Sequence, residues 1–249
     1  MPASQSPDRI KKLHALRSNS KAIILDFDGL LADSEPFHYK AYNEVFERYG
    51  HTLDPDEYWI EWTCNGKGIA GEIERHQLKL NVEVTELRRQ KFEVYSQFCK
   101  NGDIKLFPET RMLAERLEQS YKFAIASGSW AHDISAILDN AGALELFPMI
   151  FGKESATREK PHPDIFLKAA KEMHCKPDKC LVIEDAWKGL TAAKKAGMAC
   201  IIIRNPLNQD IQDGFNKKGQ LLIFNNVRSV GEYNENSNRD CTDCEFDWT

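Results

Sequence analysis

The chain has 249 residues, 42% of them apolar and 29% charged, and its 33 basic against 38 acidic residues leave a formal charge of −5. This length supports one or two domains with a sizeable core, and the composition excludes a stapled miniprotein, a collagen-like repeat and wholesale disorder. The negative balance excludes the global positive field with which nucleic-acid binders gather phosphates.

In chain order, the first 19 residues form a polar, basic segment with no apolar signal-peptide core. No later window approaches the roughly 18 consecutive apolar residues of a membrane span. A soluble, cytoplasmic protein that engages neither membrane nor nucleic acid is expected. Seven cysteines make an odd, irregularly spaced total, which argues against a disulfide framework.

Ala22 to Leu25 form a short apolar run that stops abruptly at Asp26-Phe27-Asp28-Gly29, as a buried strand does when it delivers acidic side chains at its carboxyl end. Further strand-like runs occur at 123–126, 180–183, 199–203 and 221–224. Helical patterns lie between them, at about 108–119, 130–140, 163–174 and 186–196. Alternating strand and helix predict an α/β, Rossmann-like three-layer core around a parallel sheet.

Residues 36–103 break that rhythm with helical periods and almost no strand. Leu78, Val82, Leu87, Phe92, Tyr95 and Phe98 could supply one apolar side of such helices. The segment reads as an inserted α-helical cap over the carboxyl ends of the strands, able to exclude water and select a substrate. The core is then discontinuous, over 20–35 and 104–230, with a mobile acidic tail over 231–249. In that tail, Cys241-Thr-Asp-Cys244 has the spacing of metal or redox ligands, but no second pair or nearby histidine supports a site, and the pair reads as free thiols.

Two acidic pairs emerge at predicted strand ends. Asp26 and Asp28, two apart, would point the same way in a regular strand. One could ligate a cation or attack phosphorus while the other moves a proton; a strand cap and turn is the plainer alternative. Glu184-Asp185 closes a second apolar strand, and four converging carboxylates would call for a compensating cation such as Mg²⁺. Ser127-Gly128-Ser129, at a strand-to-helix junction, either grips phosphate oxygens or simply caps a helix. Lys160, before Pro161-His162-Pro163-Asp164, is a candidate countercharge.

The combination resembles the haloacid dehalogenase-like superfamily, in its branch of small phosphatases and β-phosphoglucomutase-like enzymes. The resemblance rests on four ordered segments: 26–35, 125–129, 159–166 and 182–198. It implies that Asp26 is a nucleophile forming an aspartyl-phosphate and that Asp28 is the general acid and then base. It further implies that Ser127, with Gly29 and Gly128, binds the phosphoryl group and that Lys160 orients Asp26 and neutralises charge. Mg²⁺ would be held by Asp26, Asp185 and the main-chain carbonyl of Asp28, with Glu184 in or near that shell.

The implied activity is Mg²⁺-dependent hydrolysis of a small phosphorylated metabolite such as a sugar phosphate. The alternatives are a phosphosugar mutase and a non-catalytic phosphate-ligand binder, and the oligomeric state, monomer or weak dimer, stays open. Among cap and rim residues, His38 either matches a hinge histidine of the mutase-like proteins or is a satisfied helix-face histidine, and Lys67 stands where mutase-like caps often place an arginine. Trp59, Trp62 and Trp130 could each wall a sugar or fill a core. Trp130 is the best placed of the three, directly after Ser129, whereas Trp187 could pack its own loop against the core.

Overall fold

The computed structural model describes residues 13, 15–64, 66–203, 205 and 221–224. The proposed tail, with Cys241 and Cys244, lies outside them. Six parallel strands form one sheet: β1 (Ala22–Leu25), β2 (Lys122–Ala126), β3 (Ile150–Phe151), β4 (Cys180–Glu184), β5 (Ala199–Ile203) and β6 (Leu221–Phe224). Their spatial order is β3-β2-β1-β4-β5-β6, which places β1 at the centre, in register with both β2 and β4.

Successive side chains on a strand face opposite sides, and the core divides accordingly. Ile23, Leu25, Phe123, Ile125, Leu181 and Ile183 bury one face against helices α4 (Glu109–Glu118) and α5 (Ala131–Asn140). Ile24, Ala124, Ala126, Val182 and Ile202 bury the other against α6 (Asp164–Glu172) and α7 (Trp187–Lys195). This is the doubly wound, Rossmann-like arrangement expected from the alternating pattern. Only β3 has no counterpart in that reading, because two residues carry no periodicity.

Between β1 and β2 stand α1 (Glu35–Glu47), a helical turn at Pro55–Glu57, a π-helical segment at Tyr58–Cys64, α2 (Gly68–His76) and α3 (Val84–Asn101). Val45, Phe46, Leu53, Tyr58, Trp62, Ile69 and Leu87 form their own apolar cluster. Leu78 and Val82 pack against it from the loop between α2 and α3, not from a helix. The inward stripe of α3 is Leu87, Lys91, Tyr95, Ser96 and Cys99, so a lysine occupies a position that helical spacing reserves for an apolar group. The two connections between this helical unit and the sheet are paired. Ala32 bridges Leu106, and the Asp33 amide donates to the Lys105 carbonyl at 2.9 Å.

Candidate active site

β1 ends at Leu25, yet the next amide continues the ladder: Asp26 N–H donates to the Ile183 carbonyl at 2.9 Å. The chain then turns sharply, the Phe27 carbonyl accepting from the amides of Leu30, Leu31 and Ala32. Gly29 takes φ +72°, and a Cβ there would meet Asp185 Oδ2 at 2.4 Å. The turn therefore needs glycine for its backbone and for the approach of Asp185. It also separates the two aspartates. Asp26 and Asp28 do not present their carboxylates to the same partners, as a regular strand would have had them do.

Asp26 faces Lys160 and the β4 acids. Lys160 Nζ donates to Asp26 Oδ1 and to Glu184 Oε1, both at 2.7 Å. Glu184 Oε2 accepts the amides of Asp185 (2.9 Å) and Ala186 (2.8 Å), so this side chain folds back to secure its own loop. It rests on Gly189, where any Cβ would fall 1.6 Å from Oε1. Asp185 Oδ2 accepts from Asn205 at 2.8 Å. Asp26, Glu184 and Asp185 are all buried, and each offers a carboxylate oxygen within 4.8 Å of the others.

Burial, with the charge of Glu184 next, pushes Asp26 up to about 8 and Asp185 well above the usual carboxylate range. Burial works against the charge on Lys160, but Asp26 and Glu184 overcome it and hold the ammonium above its ordinary value. Three close acids facing one lysine leave surplus negative charge, and the donors are all hard oxygens. Such a set fits Mg²⁺, which is bound through one or two carboxylates plus substrate phosphate.

Asp28 is enclosed by donors. Its Oδ1 faces Ser34 Oγ (2.7 Å), Tyr95 Oη (3.3 Å) and His38 Nε2 (3.4 Å), and its Oδ2 accepts from Ser129 Oγ (2.7 Å) and Ser127 Oγ (2.9 Å). Burial would raise this carboxyl, but the bonds from His38, Ser34 and Ser129 prevail and hold it well below the usual range. Ser127 is fixed by its own amide, which donates to Phe151 on the short strand β3 at 3.0 Å. Its Oγ also accepts the Ser129 amide at 3.0 Å, and Gly128 lies exposed between the two serines.

His38, on α1, faces Asp28, Tyr95 and Lys91. Its ring stacks on Tyr95 at 4.1 Å, and Lys91 Nζ lies 2.7 Å from Nδ1. An ammonium at Nδ1 leaves the ring proton on Nε2, directed at Asp28. Burial lowers Lys91 from 10.5 to about 8, against the pull of Asp28 and Glu35.

The remaining rim residues separate. Lys67 is exposed and pairs with Glu61 at 2.8 Å inside the helical unit, while its neighbour Gly66 reaches over Lys188 on α7. Trp130 meets Phe92 of α3 edge-on at 6.0 Å and receives Lys153 over its ring, so it lies between sheet and helical unit. Trp62 fills the cluster inside that unit, Trp59 packs beside it, and Trp187 covers the face of the sheet that carries α6 and α7.

Ser34 and Lys91 are contributors that sequence reasoning did not single out, while Ser129 was read only with Ser127 as a phosphate grip or helix cap and Tyr95 only as an apolar side chain. Both serines lay inside the motif segments, whereas Lys91 left only one signal, a lysine at a position of the stripe that includes Leu87 and Tyr95.

Residues 23–203 match the haloacid dehalogenase-like hydrolase family. Bacillus subtilis YhcW is 34% identical over 191 residues, covering 74% of this chain and 84% of that protein. The β-phosphoglucomutase of Bacillus subtilis is 29% identical over 196 residues, covering 73% and 82%. The crystal structure of CbbY from Rhodobacter sphaeroides in complex with phosphate superposes with a TM-score of 0.69 at 29% identity, covering 82% of this chain and 93% of that one. A CbbY variant from the same organism was crystallised with xylulose-(1,5)bisphosphate, and its TM-score is 0.68 at 28% identity over the same shares of the two chains. The chain belongs to the haloacid dehalogenase-like hydrolases, in their phosphatase and β-phosphoglucomutase-like branch.

Proposed function

We propose that this haloacid dehalogenase-like hydrolase is a Mg²⁺-dependent phosphomonoesterase, working through an aspartyl-phosphate on a small phosphorylated metabolite such as a sugar phosphate. The observation that carries the reading is Lys160 clamped between Asp26 and Glu184, with Asp185 in the same buried carboxylate cluster. In this reading residues 20–35 and 104–230 form the catalytic core and 36–103 the cap.

Asp26 attacks phosphorus and the bond to the leaving oxygen breaks, Asp28 supplying the proton that oxygen needs. Water then attacks the phosphoenzyme, returning its proton to Asp28 and releasing inorganic phosphate. Lys160 works against the rise that burial and Glu184 impose on the nucleophile, holds it in position and offsets charge on the transferring group. Asp26 and Asp185, with the carbonyl of Asp28, would hold Mg²⁺, and Glu184 would hold Lys160 beside it. When bound, the ion supplies charge neutralisation for the phosphoryl oxygens.

Asp28 is an ionised acceptor in the arrangement described above, the opposite of what a general acid requires. A phosphoryl oxygen competing for the Ser127 hydroxyl removes one of the donors that keep it ionised, which raises its proton affinity as substrate arrives. The test is phosphate release from a panel of phosphomonoesters with and without Mg²⁺. Selective, Mg²⁺-dependent release that Asp26→Asn abolishes is the expected result. Interconversion of sugar phosphates without release would install the mutase instead, and unchanged release by Asp26→Asn would remove Asp26 as nucleophile.

A further inference from the structure

A second group of metal-ligating side chains lies inside the helical unit, apart from the Asp26 cluster. His51 stands in the loop after α1, and Glu72 and His76 are one turn apart on α2. Each offers a ligand atom within 4.8 Å of the others. We propose that His51, Glu72 and His76, with Glu57 at the edge, form a site for a borderline divalent cation of the Zn²⁺ type, distinct from the site that would hold Mg²⁺.

The two oxygens of Glu72 are divided between different tasks. Oε2 accepts the Trp62 indole N–H at 2.9 Å and the Arg75 guanidinium, which fixes the plane of the carboxylate. Oε1 faces both imidazoles, with His51 Nε2 at 2.8 Å and His76 Nε2 at 3.4 Å. A metal-bound carboxylate is oriented in the same way, by outer-shell donors on the oxygen that does not ligate. The Glu72 side chain is 2% exposed and that of His51 is 15% exposed, while His76 and Glu57 are open to solvent at 34% and 42%, so the donors line the mouth of a recess rather than a closed cavity. Glu57 Oε2 lies 2.7 Å from His76 Nε2 and supplies a fourth donor.

The spacing suits the ion. Ligands at the Zn–N and Zn–O bond lengths of roughly 2.0–2.1 Å in a tetrahedron are about 3.3 Å apart. Glu72 Oε1 lies 2.8 and 3.4 Å from the two imidazole nitrogens and Glu57 Oε2 lies 2.7 Å from His76 Nε2, close to that spacing, and His51 and His76 offer ligand atoms within 4.8 Å of each other. Donor chemistry points the same way, since two imidazole nitrogens beside carboxylates favour Zn²⁺ over the harder Mg²⁺. Electrostatics agree as well. Glu57, Glu61 and Glu72 surround Arg75, and Lys67 pairs with Glu61, leaving three carboxylates against two cationic side chains. Two Nε2 atoms converge on one carboxylate oxygen, where each can donate its ring proton; moving those protons to Nδ1 would turn both lone pairs toward a shared metal ion.

A cation here would tie the loop at His51, the turn at Glu57 and helix α2 into one body. The π-helical segment between them ends at Cys64, and Gly66 beyond it overhangs Lys188, three positions after Asp185 in the chain. The site would thereby set the rigidity of the cap edge that faces substrate.

The test is calorimetric titration of the full-length protein with ZnCl₂ under saturating Mg²⁺, in a Cys241→Ser/Cys244→Ser background so that those thiols do not contribute. One equivalent is expected to bind. Affinity should fall by roughly tenfold or more in His51→Ala and in His76→Ala, and stay unchanged in His132→Ala, which removes an exposed histidine of α5 outside the cluster. A second readout needs no variant at these ligands. Co²⁺ added to the same background protein should give the intense visible absorption of a four-coordinate ion and be displaced by Zn²⁺. Absence of saturable binding, equal binding by the two histidine variants and the parent, or a weak six-coordinate Co²⁺ spectrum would each overturn the proposal.

Discussion

Replacing Gly189 with alanine tests how Lys160 is held without touching any charged group. Gly189 lies in the first turn of α7 under the Glu184 carboxylate, and a Cβ there would stand 1.6 Å from Oε1, 1.8 Å from Cδ and 2.5 Å from Oε2. Since ordinary contact begins at 3.4 Å, the carboxylate must move off Lys160 and off the amides of Asp185 and Ala186. Breaking a buried, hydrogen-bonded ion pair costs about 3–5 kcal/mol. Alanine returns about 1 kcal/mol through its better helix propensity, so the net destabilisation is about 2–4 kcal/mol. Urea unfolding of Gly189→Ala, Glu184→Ala and the double variant measures it. If the conflict runs through Glu184, the double variant is hardly less stable than Glu184→Ala, a coupling of roughly 2 kcal/mol or more. Additive effects, or a loss below about 1 kcal/mol in Gly189→Ala alone, would refute the reasoning.

Three further outcomes are expected. Lys91 is lowered from 10.5 to about 8 mainly by burial, so between those values the unfolded chain holds a proton that the folded one lacks. Stability should therefore rise with pH across that window, by about 3 kcal/mol in all from this group. Lys91→Met should lose that rise, and parallel pH curves for the two proteins would count against it. Ser129→Ala removes a 2.7 Å donor from the buried Asp28 carboxylate and should cost about 1.5–3 kcal/mol in urea unfolding, whereas a negligible loss would show that the hydroxyl is dispensable. Gly29→Ala combines a strained φ of +72° with a Cβ 2.4 Å from Asp185 Oδ2. It should raise the Mg²⁺ concentration needed for half-maximal turnover by about tenfold, and an unchanged requirement would separate Asp185 from the metal.

The sheet was legible because burial on both faces writes a strand as a continuous apolar run. Ile23, Ile24 and Leu25, or Leu181, Val182 and Ile183, announce themselves without any partner in view. Strand β3 could not, since two residues are too few to carry a pattern, although Phe151 is what anchors Ser127. The chemical side chains were equally legible where they close a strand, as Asp26 and Asp185 do. What could not be read was convergence. The turn after Leu25 sends Asp28 away from Asp26, and it is there that Ser34, Tyr95, Ser127 and Ser129 gather, from three parts of the chain. Lys91 was hidden for a related reason. Its ammonium is usable inside a helix stripe only because His38 and Asp28 are on the far side, and no local rule relates residue 91 to residue 28. Leu87, Phe92, Tyr95 and Phe98 were expected to supply an apolar side of this helix, and its buried stripe carries Lys91 among them.

The central position of β1 governs when this protein becomes chemically competent during its own synthesis. Asp26 leaves the ribosome early, but its lysine lies 134 positions further along, and Asp185 comes later still. Closing so large a loop is entropically costly and comes late in folding. Until β4 docks beside β1, the carboxylate has neither its countercharge nor its acidic neighbours. A nascent or truncated chain then lacks the assembled carboxylate cluster, which comes together only with the completed sheet.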